Sequence, residues 1–385
     1  KNSRMSHYSF LYRFIQLFVF GGITYYQLKQ QEKISCQVHG TCPRSEDFGV
    51  AQIIDANHVV ETEQILGDMV AYFKGLRSDP TTTVMMHEIL DDCKNQDANC
   101  AFWAIVGECE KAPGYMKVSC APVCQSCDQL SMEMRCPIDP NAERHSVWEP
   151  GSLNELFLNL TTLRENKKYK PHILSSPIDS GDKDSSCNLG SWTMYFDNFL
   201  SHREADKLIS IGSELGFEPN FDGMRIEEYS MRREPFASTW LNEAAAQDST
   251  VKKIMSRLEQ ITNIPTGNVE NIQVVKYDQG QVHNLHHDYI YYQAQRQPGV
   301  RILSLFLFLS DVEEGGENFF PNLNIKVAPK KGRALVWPLV LNENPNKRDE
   351  KMWYEVKLVK KGALYGANIF IHQRDFKGPN KNNCH

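Results

Sequence analysis

The sequence predicts an α+β protein built on a double-stranded β-helix, a jelly-roll-like barrel with supporting helices on one face. Helix-period segments come first, at residues 208–215 and 251–261. Strand patterns then dominate at 272–277, 302–309, 325–328, 334–337, 355–359 and 367–371. Helices followed by a run of strands fit that architecture. Ahead of the barrel, six of the eleven cysteines crowd between Cys93 and Cys127, which adds a small disulfide-rich module. An apolar N-terminal stretch adds a signal anchor.

The N-terminal tail and anchor are assigned to residues 1–35. Residues 8–26 are largely apolar and aromatic, interrupted by Arg13 and Gln16, with Lys1 and Arg4 before them. Residues 17–26 suit a signal-peptide core, and the whole segment is barely long enough to span a bilayer. Gly22-x-Thr24 is a poor cleavage site, so an uncleaved type II anchor is expected, with the rest of the chain in the endoplasmic reticulum lumen. A cleaved, secreted form is the alternative. Either route permits glycosylation at Asn159 of the Asn159-Leu160-Thr161 sequon.

A luminal helical segment is assigned to 36–92, where Val59, Val60, Ile65, Leu66, Met69, Val70, Phe73 and Leu76 recur at helical spacing. It packs on a neighbouring segment or pairs with a second subunit. The cysteine module, 93–127, is too short to bury a core unaided, so its stability must come from disulfides. Six cysteines allow 15 pairings. A zinc knuckle is disfavoured, because six cysteines without a nearby His overfill a tetrahedral site. Cys93-x-x-x-Asp97, Trp103, Gly107-Glu108-Cys109, Pro113, Tyr115-Met116 and Cys120-x-x-x-Cys124-x-x-Cys127 resemble a ShK-toxin-type (ShKT) domain. That resemblance implies the bridges Cys93–Cys127, Cys100–Cys120 and Cys109–Cys124. Five cysteines lie outside the module: Cys36, Cys42, Cys136, Cys187 and Cys384.

Residues 128–190 are expected to connect the module to the barrel. They carry a short helix opened by Gly151-Ser152, then a polar stretch from 167 to 188 that reads as linker. The barrel domain is assigned to 191–385. Ser201-x-x-Glu204 is a capping box, and Ser249 and Thr250 precede a second helix. The net charge of −6 gives no basic face for nucleic acid.

The chemistry centres on His286-x-Asp288, read as one imidazole and one carboxylate on the same strand face. Such a pair with a distant second His makes the 2-His-1-carboxylate facial triad of non-haem Fe(II) oxygenases. Downstream stand Arg301-Ile302-Leu303-Ser304-Leu305-Phe306, Gly315-Gly316-Glu317-Asn318-Phe319-Phe320-Pro321, Gly332-Arg333-Ala334-Leu335-Val336-Trp337-Pro338 and Tyr365-Gly366-Ala367-Asn368-Ile369-Phe370-Ile371-His372. In this order and spacing the chain from about Ser191 onward resembles the catalytic domain of prolyl 4-hydroxylases. The resemblance implies Fe(II), 2-oxoglutarate and ascorbate as cofactors, and a proline-rich peptide or protein substrate.

Several family positions are substituted. The second iron-binding His is expected eighteen residues before His372, which is Tyr354. The Lys that pairs with the distal carboxylate of 2-oxoglutarate is expected ten residues further on, which is Leu364. The family's co-substrate Tyr is His283, which is either a protonated partner for that carboxylate or a half-exposed strand residue. A phenol is a poor Fe(II) ligand until deprotonated, and a carboxylate buried without a cation is costly. Two readings therefore stand. One is a prolyl 4-hydroxylase-like dioxygenase of secretory-pathway proteins. The other is a catalytically impaired relative that binds proline-rich peptides, or scaffolds an active subunit as a dimer partner.

Overall fold

A computed structural model describes residues 48–55, 57–79, 84–138, 146–177, 188–220 and 236–384. The expected anchor, Cys36, Cys42 and Cys187 lie outside the described residues. Among those described, no helix is long and apolar enough to cross a membrane. The described residues divide into two compact units, one running to Pro137 and including Lys381–Asn383, the other Ile138–Asn380 with Cys384.

In the first unit the helix Val59–Ser78 and the short helices Cys100–Ile105 and Pro113–Ser119 gather around one small core. Met69, Phe73, Leu90 and Met116 are buried in it together with Cys93, Cys100, Cys120 and Cys127. The cysteines join as Cys93–Cys127, Cys100–Cys120 and Cys109–Cys124, the pairing that the resemblance implies. With every sulfur of the cluster in a disulfide, none is left as a thiolate for zinc. Closing loops of this length stabilises a small fold by about 3–4 kcal/mol each. The Val59–Ser78 helix joins the module itself: Tyr72 Oη accepts from the Cys127 amide at 3.0 Å. Segments read as separate, 36–92 and 93–127, thus share a core where they are described. Cys136 and Cys384 are also disulfide-bonded.

The second unit holds β1 (Pro171–Ser176), β2 (Asn188–Leu189), β3 (Thr193–Phe196), β4 (Glu218–Pro219), β5 (Ala237–Trp240), β6 (Gln273–Tyr277), β7 (His283–His286), β8 (Arg301–Phe308), β9 (Glu314–Gly315), β10 (Asn318–Phe320), β11 (Ile325–Val327), β12 (Ala334–Pro338), β13 (Val340–Leu341), β14 (Asn344–Arg348), β15 (Tyr354–Val356), β16 (Val359–Lys361) and β17 (Leu364–His372). Nine form a sheet in the order β2-β1-β3-β12-β8-β17-β6-β5-β4, and four form a second sheet, β11-β10-β15-β7. Apart from the parallel β1–β2 pair, their pairings are antiparallel. Trp337 from the large sheet meets Phe320 and Tyr354 of the small one at ring separations of 5.4 and 4.9 Å. The core therefore lies between the sheets.

The helix His202–Leu215 starts with the expected capping box: Ser201 accepts from the Glu204 amide, while the Glu204 carboxylate accepts from the Ser201 amide. It lies so close to β6 that a Cβ on Gly212 would stand 3.1 Å from Val274 Cγ1, which accounts for the glycine. The helix Ser249–Thr262 is capped by Asp248, one residue ahead of the expected start, because a carboxylate reaches the free amide of Thr250 at 2.7 Å.

Two expectations are corrected. Residues 167–176, read as linker, close a 3-10 turn and supply β1, which pairs with β3. Its polar look is that of a strand near a sheet edge, with its proline at the first position where a missing amide is tolerated. The 355–359 strand is broken into β15 and β16.

Candidate functional site

The small sheet presents its inner side chains in rows set by strand register. Asn318 of β10 pairs with Val356 of β15, and Val356 pairs with His283 of β7. In the next row Tyr354 pairs with His286. The position aligned with a second iron-binding His is therefore directly across from the first, and a phenol fills it. Asp288 was expected on the same strand as His286. Instead β7 ends at His286, and Asp288 lies in the following loop.

Asp288 is buried and receives polar groups on both oxygens. Ser304 Oγ donates to Oδ2 at 2.7 Å, and Tyr354 Oη donates to Oδ1 at 3.3 Å. His286 Nε2 stands 3.5 Å from the same Oδ1. Burial pushes the Asp288 carboxyl up, but the His286 contact, the charge of Arg301 and the Ser304 hydroxyl outweigh it and hold the group down to about 2. His286 Nδ1 lies 2.8 Å from the Asn284 carbonyl, which only accepts. Nδ1 therefore donates to that carbonyl, which fixes the ring with Nε2 toward Asp288.

Tyr354 is 2% exposed. Burial raises its phenol well above the usual range, and the Asp288 charge raises it further. It stays protonated and donates its hydrogen to Asp288. A neutral phenol is a poor donor for Fe(II). Among the described residues no group of three His, Cys, Asp or Glu side chains is placed to hold a metal. The residues present supply two of the three ligands of a facial triad, so they do not fit the Fe(II) centre that the sequence resemblance implies.

The co-substrate end does not fit either. Leu364 is fully buried opposite Tyr277. Tyr277 Oη lies 3.4 Å from His283 Nδ1, and the His283 ring stacks on His286 at 3.7 Å. Burial lowers the His283 pKa well below its usual value, and the neighbouring His286 lowers it further. His283 is thus held neutral, which corrects the idea of a protonated partner for a carboxylate. Lys360 and Lys361 point outward into pairs with Glu314 and Glu313. Arg301 is at the far end of β17, in register with His372, while Leu364 opens that strand.

His287 turns away, its Nε2 3.0 Å from the Asp349 carbonyl. His372 is buried against Glu270 at 2.7 Å, outside the cluster. Asn159 is half-buried in the last turns of the helix Ser152–Thr162. Sequence reasoning missed Ser304, although a lone polar residue within the apolar run of β8 is a visible signal. It also missed Tyr277 and Asn318, whose roles depend on cross-strand register.

Residues 272–372 match the family profile of the 2OG-Fe(II) oxygenase superfamily. Probable prolyl 4-hydroxylase 8 of Arabidopsis thaliana is 29% identical over 195 residues, covering 46% of this chain and 64% of the relative. Prolyl 4-hydroxylase subunit alpha-2 of Gallus gallus is 25% identical over 212 residues, covering 53% and 38%. The chain thus spans less than two thirds of the length of these relatives. Among solved structures, the viral collagen prolyl hydroxylase vCPH of Paramecium bursaria Chlorella virus-1 aligns at 25% identity and a TM-score of 0.39, over 48% of this chain and 96% of that one. Residues 272–372 are thus similar to the 2OG-Fe(II) oxygenase superfamily, with prolyl 4-hydroxylases among the relatives matched.

Proposed function

We propose that this chain is a prolyl 4-hydroxylase-like protein of the secretory pathway that recognises proline-rich peptide and does not hydroxylate it. One observation carries the reading: Tyr354 stands across from His286 and binds Asp288 as a neutral phenol. The loss of the cation at Leu364 acts on the same bound complex. Three disulfides in the first unit support an oxidising, luminal location, with the N-terminal segment as membrane anchor.

Peptide recognition is supported by the surface next to Asp288. Tyr289 and Tyr291 pack edge to face at 5.2 Å, and the Arg348 guanidinium lies 4.7 Å from the Tyr291 ring and 5.1 Å from Trp353. Tyr291 and the adjacent Tyr292 are 62% and 58% exposed. Aromatic surfaces of this kind dock polyproline II segments, which lose little entropy on binding.

A second reading, an active dioxygenase, is favoured by His286 Nε2 and Asp288 Oδ1 standing side by side at 3.5 Å. The test supplies Fe(II), 2-oxoglutarate, ascorbate and a proline-rich peptide to the purified chain. Little succinate and little hydroxyproline are expected. Tyr354→His with Leu364→Lys should recover more activity than the two single repairs summed. Peptide binding, read by fluorescence anisotropy, should survive in the unaltered chain and weaken about tenfold in Tyr291→Ala. Robust peptide-dependent hydroxylation by the unaltered chain would establish the second reading instead.

A further inference from the structure

We infer that the cleft beside the helix Ser249–Thr262 is a binding site for a small monocarboxylate with an apolar tail, its carboxylate held by Lys377. The cleft has a volume of about 300 Å³, at the lower end of the range of small-molecule sites. Its walls are that helix, the segment that leads into β6, and Lys377 at the start of the short helix Lys377–Asn380. None of His283, His286, Asp288, Tyr354 and Leu364 lines it, so it is separate from the site already described.

The apolar lining comes from Leu241, Val251, Met255 and Ile272, and all but Met255 are buried. Such a surface favours an aliphatic chain over water. The charged lining is Lys252, Glu259, Glu270 and Lys377. Glu270 is already matched, since Arg301 binds it through two nitrogens at 2.5 and 2.9 Å. Lys252 and Lys377 then stand against Glu259 alone. That leaves a surplus of one positive charge, which one carboxylate balances.

Lys377 is the group that lacks a partner. It is half-buried, and among the described residues it makes no hydrogen bond or ion pair. Burial lowers the pKa of its amine, and the charges of Asp375 and Glu259 offset only part of that. A desolvated ammonium without a paired anion is costly, and a carboxylate supplied by a ligand removes the cost. Hydrogen bonds between ionised groups are about twice as strong as neutral ones, so the cleft should prefer a carboxylate to its amide. A dianion such as inorganic phosphate exceeds the surplus and meets Glu259.

Hexanoate, hexanamide and acetate separate the two features of the cleft. Titration of the full chain, followed by ligand-observed saturation-transfer NMR, should show hexanoate bound at least about fivefold more tightly than hexanamide and at least about tenfold more tightly than acetate. Lys377→Met keeps an unbranched side chain and removes an unpaired charge, so thermal stability should be equal or higher, and hexanoate and hexanamide should bind alike. Glu259→Gln should tighten hexanoate by about threefold. Bound hexanoate should also raise the Lys377 amine pKa, read by NMR titration of the lysine ε-carbons, a shift that a purely structural lysine would not show. Equal binding of hexanoate and hexanamide, a preference for hexanoate that survives Lys377→Met, or no hexanoate binding at high millimolar concentration would overturn the inference. So would loss of hexanoate binding in His286→Ala, which would place the ligand at the Asp288 cluster instead.

Discussion

Two buried histidine–carboxylate clusters in the barrel domain use similar residues to opposite ends. In the first, Arg301 grips Glu270 through two nitrogens at 2.5 and 2.9 Å. His372 adds Nε2 at 2.7 Å and anchors Nδ1 on the Gly299 carbonyl at 2.8 Å. The guanidinium also lies 3.8 Å from the Phe370 ring centroid. Both nitrogens of His372 are engaged, and the negative charge has its cation. In the second, Asp288 has hydroxyls on both oxygens, but no guanidinium pairs with its carboxylate, and His286 Nε2 stands 3.5 Å from it, farther than His372 Nε2 from Glu270. The first cluster closes the fold where β8 meets β17. The second is held more loosely. The length of the histidine–carboxylate contact, more than residue type, separates the two clusters.

This contrast predicts unequal costs of damage. Arg301→Met should leave Glu270 buried without its cation and lower unfolding stability by about 3–5 kcal/mol. His286→Ala removes a more exposed ring from a site with spare hydroxyl donors and should cost less than about 1.5 kcal/mol. Urea unfolding of the two variants compares them directly. Equal losses would erase the distinction.

Acid should weaken the domain in one direction. The Glu270 carboxyl falls from 4.5 to about 2: burial opposes this, and Arg301 and His372 outweigh burial. Asp288 falls from 3.8 to about 2. Both carboxyls are depressed in the folded state, so their stabilisation is complete above the unfolded values and is lost as pH falls through about 4.5 toward 2. Urea midpoints should therefore drop across that window. In Glu270→Gln the drop should be smaller. A midpoint independent of pH from 5 to 2 would contradict the paired geometry.

The framework was legible because it is written in short-range signals. The Ser201-x-x-Glu204 box and the apolar run of β8 each act locally, and each formed near its expected place. The substitutions at Tyr354 and Leu364 were legible only through the family resemblance, by counting back from and on toward His372. What spacing could not give was direction. His283 looked like a candidate cation until burial beside His286 held it neutral. Asp288 looked strand-borne until the chain left the sheet at His286. The strand character of 171–176 was hidden by its polar residues, since a strand near a sheet edge has no need of an apolar run.

A smaller effect belongs to Ser304. Its hydroxyl donates to an ionised carboxylate at 2.7 Å, and hydrogen bonds to charge contribute about 1.5–3 kcal/mol. Ser304→Ala should therefore lower stability by about 2 kcal/mol and raise the Asp288 pKa. A shift of the NMR-detected carboxyl titration toward 3.8 would confirm the direction. An unchanged titration would mean that the surrounding charges alone hold Asp288 ionised.

The smallest effect is expected at Tyr354, and it bears most directly on the metal question. The phenol donates to Asp288 Oδ1 at 3.3 Å, longer than the Ser304 contact, while its ring packs between Phe320 and Trp337 at 5.5 and 4.9 Å. Tyr354→Phe keeps the ring and removes only the hydroxyl, so it should cost about 1 kcal/mol or less. If the phenol is a structural donor and no ligand, the weak affinity of the purified chain for Mn(II) should change by less than about threefold. It would rise if anything, because Asp288 loses a competing hydrogen. Tyr354→His instead adds an imidazole across from His286 and should tighten Mn(II) binding well beyond that. A collapse of metal binding in Tyr354→Phe would make the hydroxyl a ligand after all, and the contrast between a tightly held cluster and a looser one would then need a third oxygen donor in it.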